Sequence, residues 1–428
     1  MDASNNALHI LDKPQGKDLD KCVHCGLCLN ACPTYRELGV EMDSPRGRIY
    51  QMVQVATGAA EIDDSYREHL GLCLACRGCE TACPSGVPYG RLIEAARAEI
   101  AAKHPPPFLM RMAYRYLLPS RFNLKVAGTL LWLYEKLGLK AMARSLGLIP
   151  KSLREAEALA PPIERPFFYE SYGKTFPAIG RKRYRVAFLG GCIANLSFAR
   201  LNDATVRVLQ RNGCEVVIPD NQNCCGALQV HAGMRDEGRA LAKQNIDAMV
   251  DAGYDAIICN AGGCGSTLKE YDELLEHDSQ YAERAKRFVA QLKDVNEFLG
   301  SIDWNRADLK PLPIKITYQD SCHLSHGQKI RTAPRQLLKS IPGLQLNEMP
   351  SSDVCCGSAG VYNVVHTDVS MQILDSKMSN VKKADAQYIA TANPGCMLQL
   401  RFGAQKYGTG HEVLHVVEVL DRSYAGSN

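Results

Sequence analysis

The chain has 428 residues, 46% of them hydrophobic, with 50 lysines and arginines against 46 aspartates and glutamates, a net charge of +4. At about 150 residues per domain this leaves room for about three domains and excludes a disordered chain or a short disulfide scaffold; so weak a positive balance gives no ground for a nucleic-acid partner. The longest stretch without a charged residue, 386–400, is 15 residues and contains Asn393, Pro394 and Gly395, short of the ~20 apolar residues a membrane-spanning helix needs. Met1 to Lys17 shows no basic region followed by an apolar run, so no secretory signal is read there. The expected setting is cytoplasmic and reducing, where the 18 cysteines point to metal rather than to disulfides.

Cys22, Cys25, Cys28 and Cys32-Pro33, then Cys73, Cys76, Cys79 and Cys83-Pro84, repeat one pattern, C-x-x-C-x-x-C-x-x-x-C-P, 51 residues apart. Two-residue spacers let three thiolates converge from one loop onto a cubane, while the fourth, turned by proline, ligates the neighbouring cluster. The expected arrangement is two 4Fe-4S clusters with crossed ligands: Cys22, Cys25, Cys28 and Cys83 for one, Cys73, Cys76, Cys79 and Cys32 for the other. Zinc prefers two separated pairs, and such a triplet cannot pair its thiols without strain. Between the strings Ser44 reads as a cap and Pro45 as the first residue of a helix, with Ile49, Met52, Val53 and Ala56 on one face before Gly58. Residues 1–104 are therefore expected to form an all-helical, ferredoxin-like domain. Arg46 and Arg48 could aim donors at a cluster's sulfurs but read rather as ordinary surface residues of a first turn, and His24 and Arg77 as spacers.

The prolines after His104 open a bridge, 105–180. From Phe108 to Pro150 it carries Arg111, Arg115, Arg121, Lys125, Lys136, Lys140 and Arg144 against Glu135 alone, with Leu130, Leu133, Tyr134 and Leu137 at helical spacing. Such a segment suits an anionic membrane surface, a partner subunit or the chain's own core. Prolines 161, 162, 166 and 177 mark a linker.

From Arg185 short apolar runs alternate with helical ones, the signature of α/β units, and the order occurs twice, in 181–300 and 301–428. The spacings are nearly constant: 130 residues from Cys192 to Cys322, 131 from Cys224 to Cys355 and 132 from Cys264 to Cys396, which marks an internal repeat. Cys192, Cys224, Cys225 and Cys264 in the first unit, and Cys322, Cys355, Cys356 and Cys396 in the second, fall just beyond the carboxyl ends of the expected parallel strands, where open sheets place their ligand crevice. Each set is a candidate metal site for a further iron-sulfur cluster or a different metal. Cys214 and Cys259 lack counterparts and read as buried small residues. The fold class is α+β multidomain, a helical di-cluster domain followed by tandem α/β Cys-Cys-Gly repeats.

Two ferredoxin strings followed by two Cys-Cys-Gly units resemble the iron-sulfur subunit of glycolate oxidase. Cys22-Val-His-Cys25-Gly, Pro45-Arg-Gly-Arg-Ile-Tyr50, Cys83-Pro-Ser-Gly-Val87, Cys225-Gly-Ala227, Gly263-Cys264-Gly, Lys269-Glu-Tyr271, Cys356-Gly-Ser-Ala-Gly360 and Lys377-Met378 before Asn380 carry the resemblance over nearly the whole chain. The chain is also similar to the iron-sulfur subunits of anaerobic glycerol-3-phosphate dehydrogenase, of lactate utilisation systems and of heterodisulfide reductase. In the last, each unit ends in C-x-x-C; here Ala261 and Asn393 replace the first of those cysteines, which leaves four thiolates per unit. The resemblance implies an electron-transfer subunit with no catalytic residue of its own, which takes electrons from FAD-binding subunits that oxidise glycolate and passes them toward quinone, peripheral to the inner membrane. No G-x-G-x-x-G joins a strand to a helix, in keeping with chemistry done on other chains. The alternatives are a heterodisulfide-reductase-like catalytic subunit, the iron-sulfur subunit of an anaerobic glycerol-3-phosphate or lactate dehydrogenase, or a zinc-bound docking platform.

Overall fold

A computed structural model describes residues 13–139, 142–143 and 162–426; Lys140, Arg144 and Pro161 of the bridge lie outside these. The first part is built on α1 (Pro33–Leu38), α2 (Pro45–Ala56), α3 (Asp64–Gly71), α4 (Gly78–Thr81) and α5 (Tyr89–Lys103). Ser44 caps α2 as its sequence indicates, with Oγ accepting from the Gly47 amide at 3.0 Å. Ile49, Met52, Tyr66, Leu70, Leu92 and Ile93 close its core.

The bridge begins as α6 (Phe108–Met112), runs through a π-turn at Ala113–Leu117 and continues as α7 (Arg121–Lys136). Tyr114, Leu118 and Leu124 pack against Phe167 and Tyr169 near the end of the bridge and against Leu196 of the first Cys-Cys-Gly unit. Arg115 and Arg121 stay exposed and form surface ion pairs with Glu237 (2.7 Å) and Asp220 (2.8 Å).

The first unit contains β1 (Thr175–Phe176), β2 (Tyr184–Leu189), α8 (Ala199–Arg211), β3 (Cys214–Val217), α9 (Ala227–His231), α10 (Arg235–Met249), β4 (Ala256–Cys259), α11 (Gly262–Leu268), α12 (Ala282–Gln291), β5 (Leu292–Asp294) and α13 (Val295–Ser301). Its sheet runs β1-β3-β2-β4-β5, parallel except for β1. β1 falls in the proline-marked linker yet joins this sheet as its antiparallel edge. The second unit contains β6 (Lys315–Tyr318), α14 (Ala333–Lys339), β7 (Gln345–Leu346), α15 (Tyr362–Val365), α16 (Thr367–Lys382), β8 (Tyr388–Thr391), α17 (Pro394–Lys406), β9 (Glu412–His415) and α18 (Val416–Ala425). Its parallel sheet has the order β7-β6-β8-β9.

The duplication extends to the last strand and helix of each unit. α13 and α18 both start in a capping box, Asp294 with Glu297 and His415 with Glu418. One continuous core, from Val186 and Phe188 through Ile316 and Tyr318 to Val416 and Leu420, joins the two sheets. Among the described residues no helix is long and apolar enough to cross a membrane.

Candidate metal centres

The two ferredoxin loops fold alike because each uses a pair of left-handed residues at equivalent positions, His24 and Gly26 in the first (φ 53° and 83°), Ala75 and Arg77 in the second (φ 50° and 62°). Left-handed backbone costs a non-glycine residue about 1 kcal/mol and curls the chain tightly enough to bring three cysteines to one side. An open recess of about 420 Å³ is lined by Cys22, Cys25, Cys28 and Cys83, with Cys79 also on its wall. A second, of about 290 Å³, is lined by Cys32, Cys73, Cys76 and Cys79. Each recess brings one of the expected sets of four together, with Cys79 on the wall of both. Among the described residues no three His, Cys, Asp or Glu side chains close on a single metal ion; the thiols stand around recesses, which suits a polynuclear cluster. Burial pushes the Cys28 thiol up to about 11 and those of Cys76 and Cys79 well above their ordinary value, so a metal must displace their protons as it binds.

Arg48 is not a surface residue. It is 1% exposed and splits its guanidinium among the His69 carbonyl (2.7 Å), Thr34 Oγ1 (3.1 Å) and Asp43 Oδ1 (3.3 Å). Thr34 Oγ1 lies 3.2 Å from Cys32 Sγ, so Arg48 is one hydrogen bond removed from a cysteine of the second set. Arg46, partly exposed, donates to the His24 carbonyl (3.2 Å) and pairs with Glu41 (2.7 Å) behind the first loop. Arg77 is more than a spacer: it pairs with Glu80 (2.9 Å) and reaches across to Glu270 of the first unit.

In the Cys-Cys-Gly units the cysteines stand where strands end. Cys192 follows β2, Cys224 and Cys225 precede α9, and Cys264 lies in the first turn of α11. Cys192 and Cys224 are 3.4 Å apart, and contacts from Cys224 to Cys225 and from Cys225 to Cys264 complete a chain of four thiols. In the second unit Cys322, Cys355, Cys356 and Cys396 form the same chain. Cys396 sits at the N-terminus of α17 and accepts from Asn393 Nδ2 at 3.4 Å. Four convergent thiols, buried or half-buried, form a soft donor set that fits an iron-sulfur group. Cys214 and Cys259 are buried within β3 and β4.

The second ferredoxin loop is seated on the second unit. His323, beside Cys322, donates from Nε2 to the Ala75 carbonyl at 3.0 Å; Tyr362 donates to the Leu72 carbonyl at 3.1 Å; and His326 Nδ1 lies 2.9 Å from Thr81 Oγ1. Leu74, Cys355, Tyr362 and Ile373 bury an apolar contact, with Cys76 and Cys322 at its edge. The two units meet through their cysteine turns, where the Gly262 amide donates to the Ala392 carbonyl and the Gly263 amide to Asn393 Oδ1, both at 3.1 Å. Sequence patterns gave no sign of His323, His326 or Tyr362 at this seam; the only local signal is that His323 follows a cysteine directly.

Comparison with known proteins fits this layout. Residues 18–87 match a 4Fe-4S dicluster domain, 186–269 and 316–401 the cysteine-rich CCG domain, and 105–160 the linker region of the glycolate oxidase iron-sulfur subunit. The chain is 44% identical over 414 residues to the probable glycolate oxidase iron-sulfur subunit of Bacillus subtilis, covering 94% of this chain and 93% of that one. It is 34% identical over 424 residues to the glycolate oxidase iron-sulfur subunit of Escherichia coli, covering 95% and 94%. This chain belongs to the glycolate oxidase iron-sulfur subunit family. A lactate utilization protein A of Halalkalibacterium halodurans is also related, 31% identical over 237 residues, covering 55% of this chain and 96% of that one. Family membership makes the chain an iron-sulfur electron-transfer subunit of an oxidoreductase complex. The dicluster domain carries 4Fe-4S clusters, and the CCG domains are consistent with more.

Proposed function

We propose that this chain is the electron-transfer subunit of a glycolate (2-hydroxy acid) dehydrogenase, passing electrons from FAD-binding subunits toward quinone at the membrane surface. The observation that carries the reading is the seam just described. Cys76 of the second ferredoxin loop and Cys322 and Cys355 of the second unit border one buried apolar contact, and the second unit's turn abuts the first unit's. Thiol sites therefore follow one another from the exposed Cys25 to Cys192 beneath the bridge. The 4Fe-4S clusters would be held by Cys22, Cys25, Cys28 and Cys83 and by Cys73, Cys76, Cys79 and Cys32, within a wholly helical di-cluster domain. The two Cys-Cys-Gly sets would hold further clusters, whose chemistry is one-electron exchange.

Exposed Val23 and Leu27 on the wall of the first recess suit a docked flavin subunit. The bridge suits the far end: its outer side carries Phe108, Leu109, Met112, Tyr116, Phe122, Val126, Leu130, Leu133 and Leu137, all exposed, on a segment whose charges are nearly all positive, as an anionic lipid surface favours. Residues 122, 126, 130, 133 and 137 share one helical face. The location we propose with it is peripheral, on the cytoplasmic side. Hydride removal from an alcohol carbon needs a flavin or nicotinamide, so the isolated, flavin-free chain is expected not to oxidise glycolate with an artificial acceptor, and to restore quinone reduction when added to the flavin subunits. Turnover by the chain alone would contradict the subunit role.

A further inference from the structure

The two Cys-Cys-Gly units share backbone and thiols but differ in the charge placed behind the vicinal pair. α10 begins at Arg235 and α16 at Thr367, 132 residues later. The glycine after each pair fixes the same register: Gly226 packs on Gly238 of α10, and Gly357 on Ser370 of α16, again 132 apart. The position occupied by Asn245 in the first unit is therefore Lys377 in the second.

Asn245 is buried and neutral, and every polar atom of its amide is used. Nδ2 donates to the Cys224 carbonyl (3.0 Å) and the Tyr271 hydroxyl (3.1 Å), and Oδ1 accepts from the Asn223 amide (2.8 Å). Lys377 is 2% exposed. Its Nζ donates to two backbone carbonyls, Ser351 at 2.6 Å and Ser352 at 3.3 Å, and among the described residues it has no carboxylate partner. Asp320 is taken by both terminal nitrogens of Arg335, at 2.7 Å each, and Asp353 is exposed. A buried ammonium is costly without a negative charge to face. Burial holds this ammonium down at about 8 against an ordinary 10.5, opposed first by Cys356 and Cys355 and then by Asp353 and Asp320.

We propose that Lys377 is the counter-charge of the metal centre held by the second unit, and that Asn245 leaves the first unit's centre without one, so that the second centre is the more easily reduced of the two. This rests on the reading that each set of four cysteines holds such a centre. The step concerned is transfer of one electron from the second ferredoxin cluster to the second unit's centre, with no bond made or broken and no proton required. Adding the electron makes the centre more negative, and a fixed buried cation favours the reduced form, net charge being one of the determinants of cluster potential. Electrons leaving the ferredoxin domain would dwell on the second unit before reaching the first.

The test is an anaerobic redox titration of the full-length, cluster-loaded chain followed by electron paramagnetic resonance, with iron measured on each sample. Lys377→Met is expected to lower the equilibrium constant for adding an electron to the second unit's centre at least tenfold, about 59 mV for a one-electron couple. The other centres should not move, and Lys377→Arg should remain within about threefold of the parent. Where Lys377→Met loses iron, Lys377→Gln is titrated against the same criteria. An unmoved potential at full iron content overturns the proposal, as does an equal shift in the methionine and arginine variants, which would indicate packing rather than charge. Should Cys355→Ser with Cys356→Ser remove neither iron nor a signal, the second unit holds no centre and the underlying reading fails, a result distinct from a centre whose potential stays in place.

Discussion

Nε2 of His323 donates a hydrogen bond to the carbonyl oxygen of Ala75 across 3.0 Å, joining the residue after Cys322 to the residue before Cys76. A link between positions 248 residues apart fixes which of the two ferredoxin loops faces the repeats. The first loop, with Cys25 exposed, stays open, and the second is enclosed. Under the proposed function this polarity would set the direction of electron flow.

Crossed ligation makes the two loops interdependent. Cys32→Ser is expected to damage the cluster whose other ligands are Cys73, Cys76 and Cys79, while the cluster at Cys22, Cys25 and Cys28 persists. Mössbauer or paramagnetic resonance spectra of the anaerobically purified variant decide this; loss of the Cys22 cluster instead would mean each loop ligates its own.

Arg48 holds Asp43, Thr34 and the end of α3 together from the interior. Replacing it by methionine leaves Asp43, itself buried, facing among the described residues only His69 at 3.0 Å, and breaking a buried pair in this way costs about 3–5 kcal/mol. Lysine should recover little of this, because one ammonium cannot span three acceptors in the geometry of a guanidinium. Urea unfolding of the three proteins measures the difference, and a loss below about 1 kcal/mol would mean that Arg48 is dispensable to the domain.

Arg48 also shows where reading the sequence stops. Its place in the first turn of an amphipathic helix looks solvated, and it is buried by partners at 34, 43 and 69, which only tertiary packing brings to it. The cysteines were legible because spacing alone groups them as they lie in space, and the repeat was legible from their constant offsets. β1, β5 and β9, of two to four residues, carry too little periodicity to announce themselves. Nor can local patterning tell that Arg115 and Arg121 of the basic bridge pair with surface acids of the first unit while leucines and phenylalanines of the same segment are exposed.

Stability should depend on pH through His415. This side chain is fully buried at the start of α18, with Nδ1 accepting from the Val417 amide at 3.2 Å, and burial holds it down at about 4 against an ordinary 6.5. The unfolded chain binds a proton below pH 6.5 that the folded chain refuses until about pH 4. Its contribution is therefore complete above about pH 6.5 and is lost as pH falls toward 4, at most about 3 kcal/mol. His415→Gln, which keeps an acceptor, should flatten that part of the stability profile; because acid loss of iron affects both proteins, the difference between them isolates His415. Parallel profiles would show that His415 does not titrate in this window.

Attachment to lipid, if the bridge faces a membrane, depends on its apolar stripe more than on its full complement of basic residues. Arg115 and Arg121 are already paired. A side chain moved from water into an apolar phase contributes about 1.5–3 kcal/mol and an unpaired basic residue about 1 kcal/mol. Phe122→Ser, Leu130→Ser and Leu137→Ser together should abolish co-sedimentation of the assembled complex with anionic vesicles without loss of fold, since all three are exposed. Unchanged co-sedimentation would assign the stripe to a protein partner.

The most direct test of the central claim, that thiol sites in all three regions carry electrons, is the iron content of the anaerobically purified chain beside a variant in which Cys322, Cys355, Cys356 and Cys396 are serine. Two ferredoxin clusters alone account for about eight irons. The account predicts clearly more than that in the parent, with a fall confined to the second unit's share in the variant. About eight in both would contradict it, leaving the Cys-Cys-Gly units without iron and the electron path ending at the ferredoxin domain.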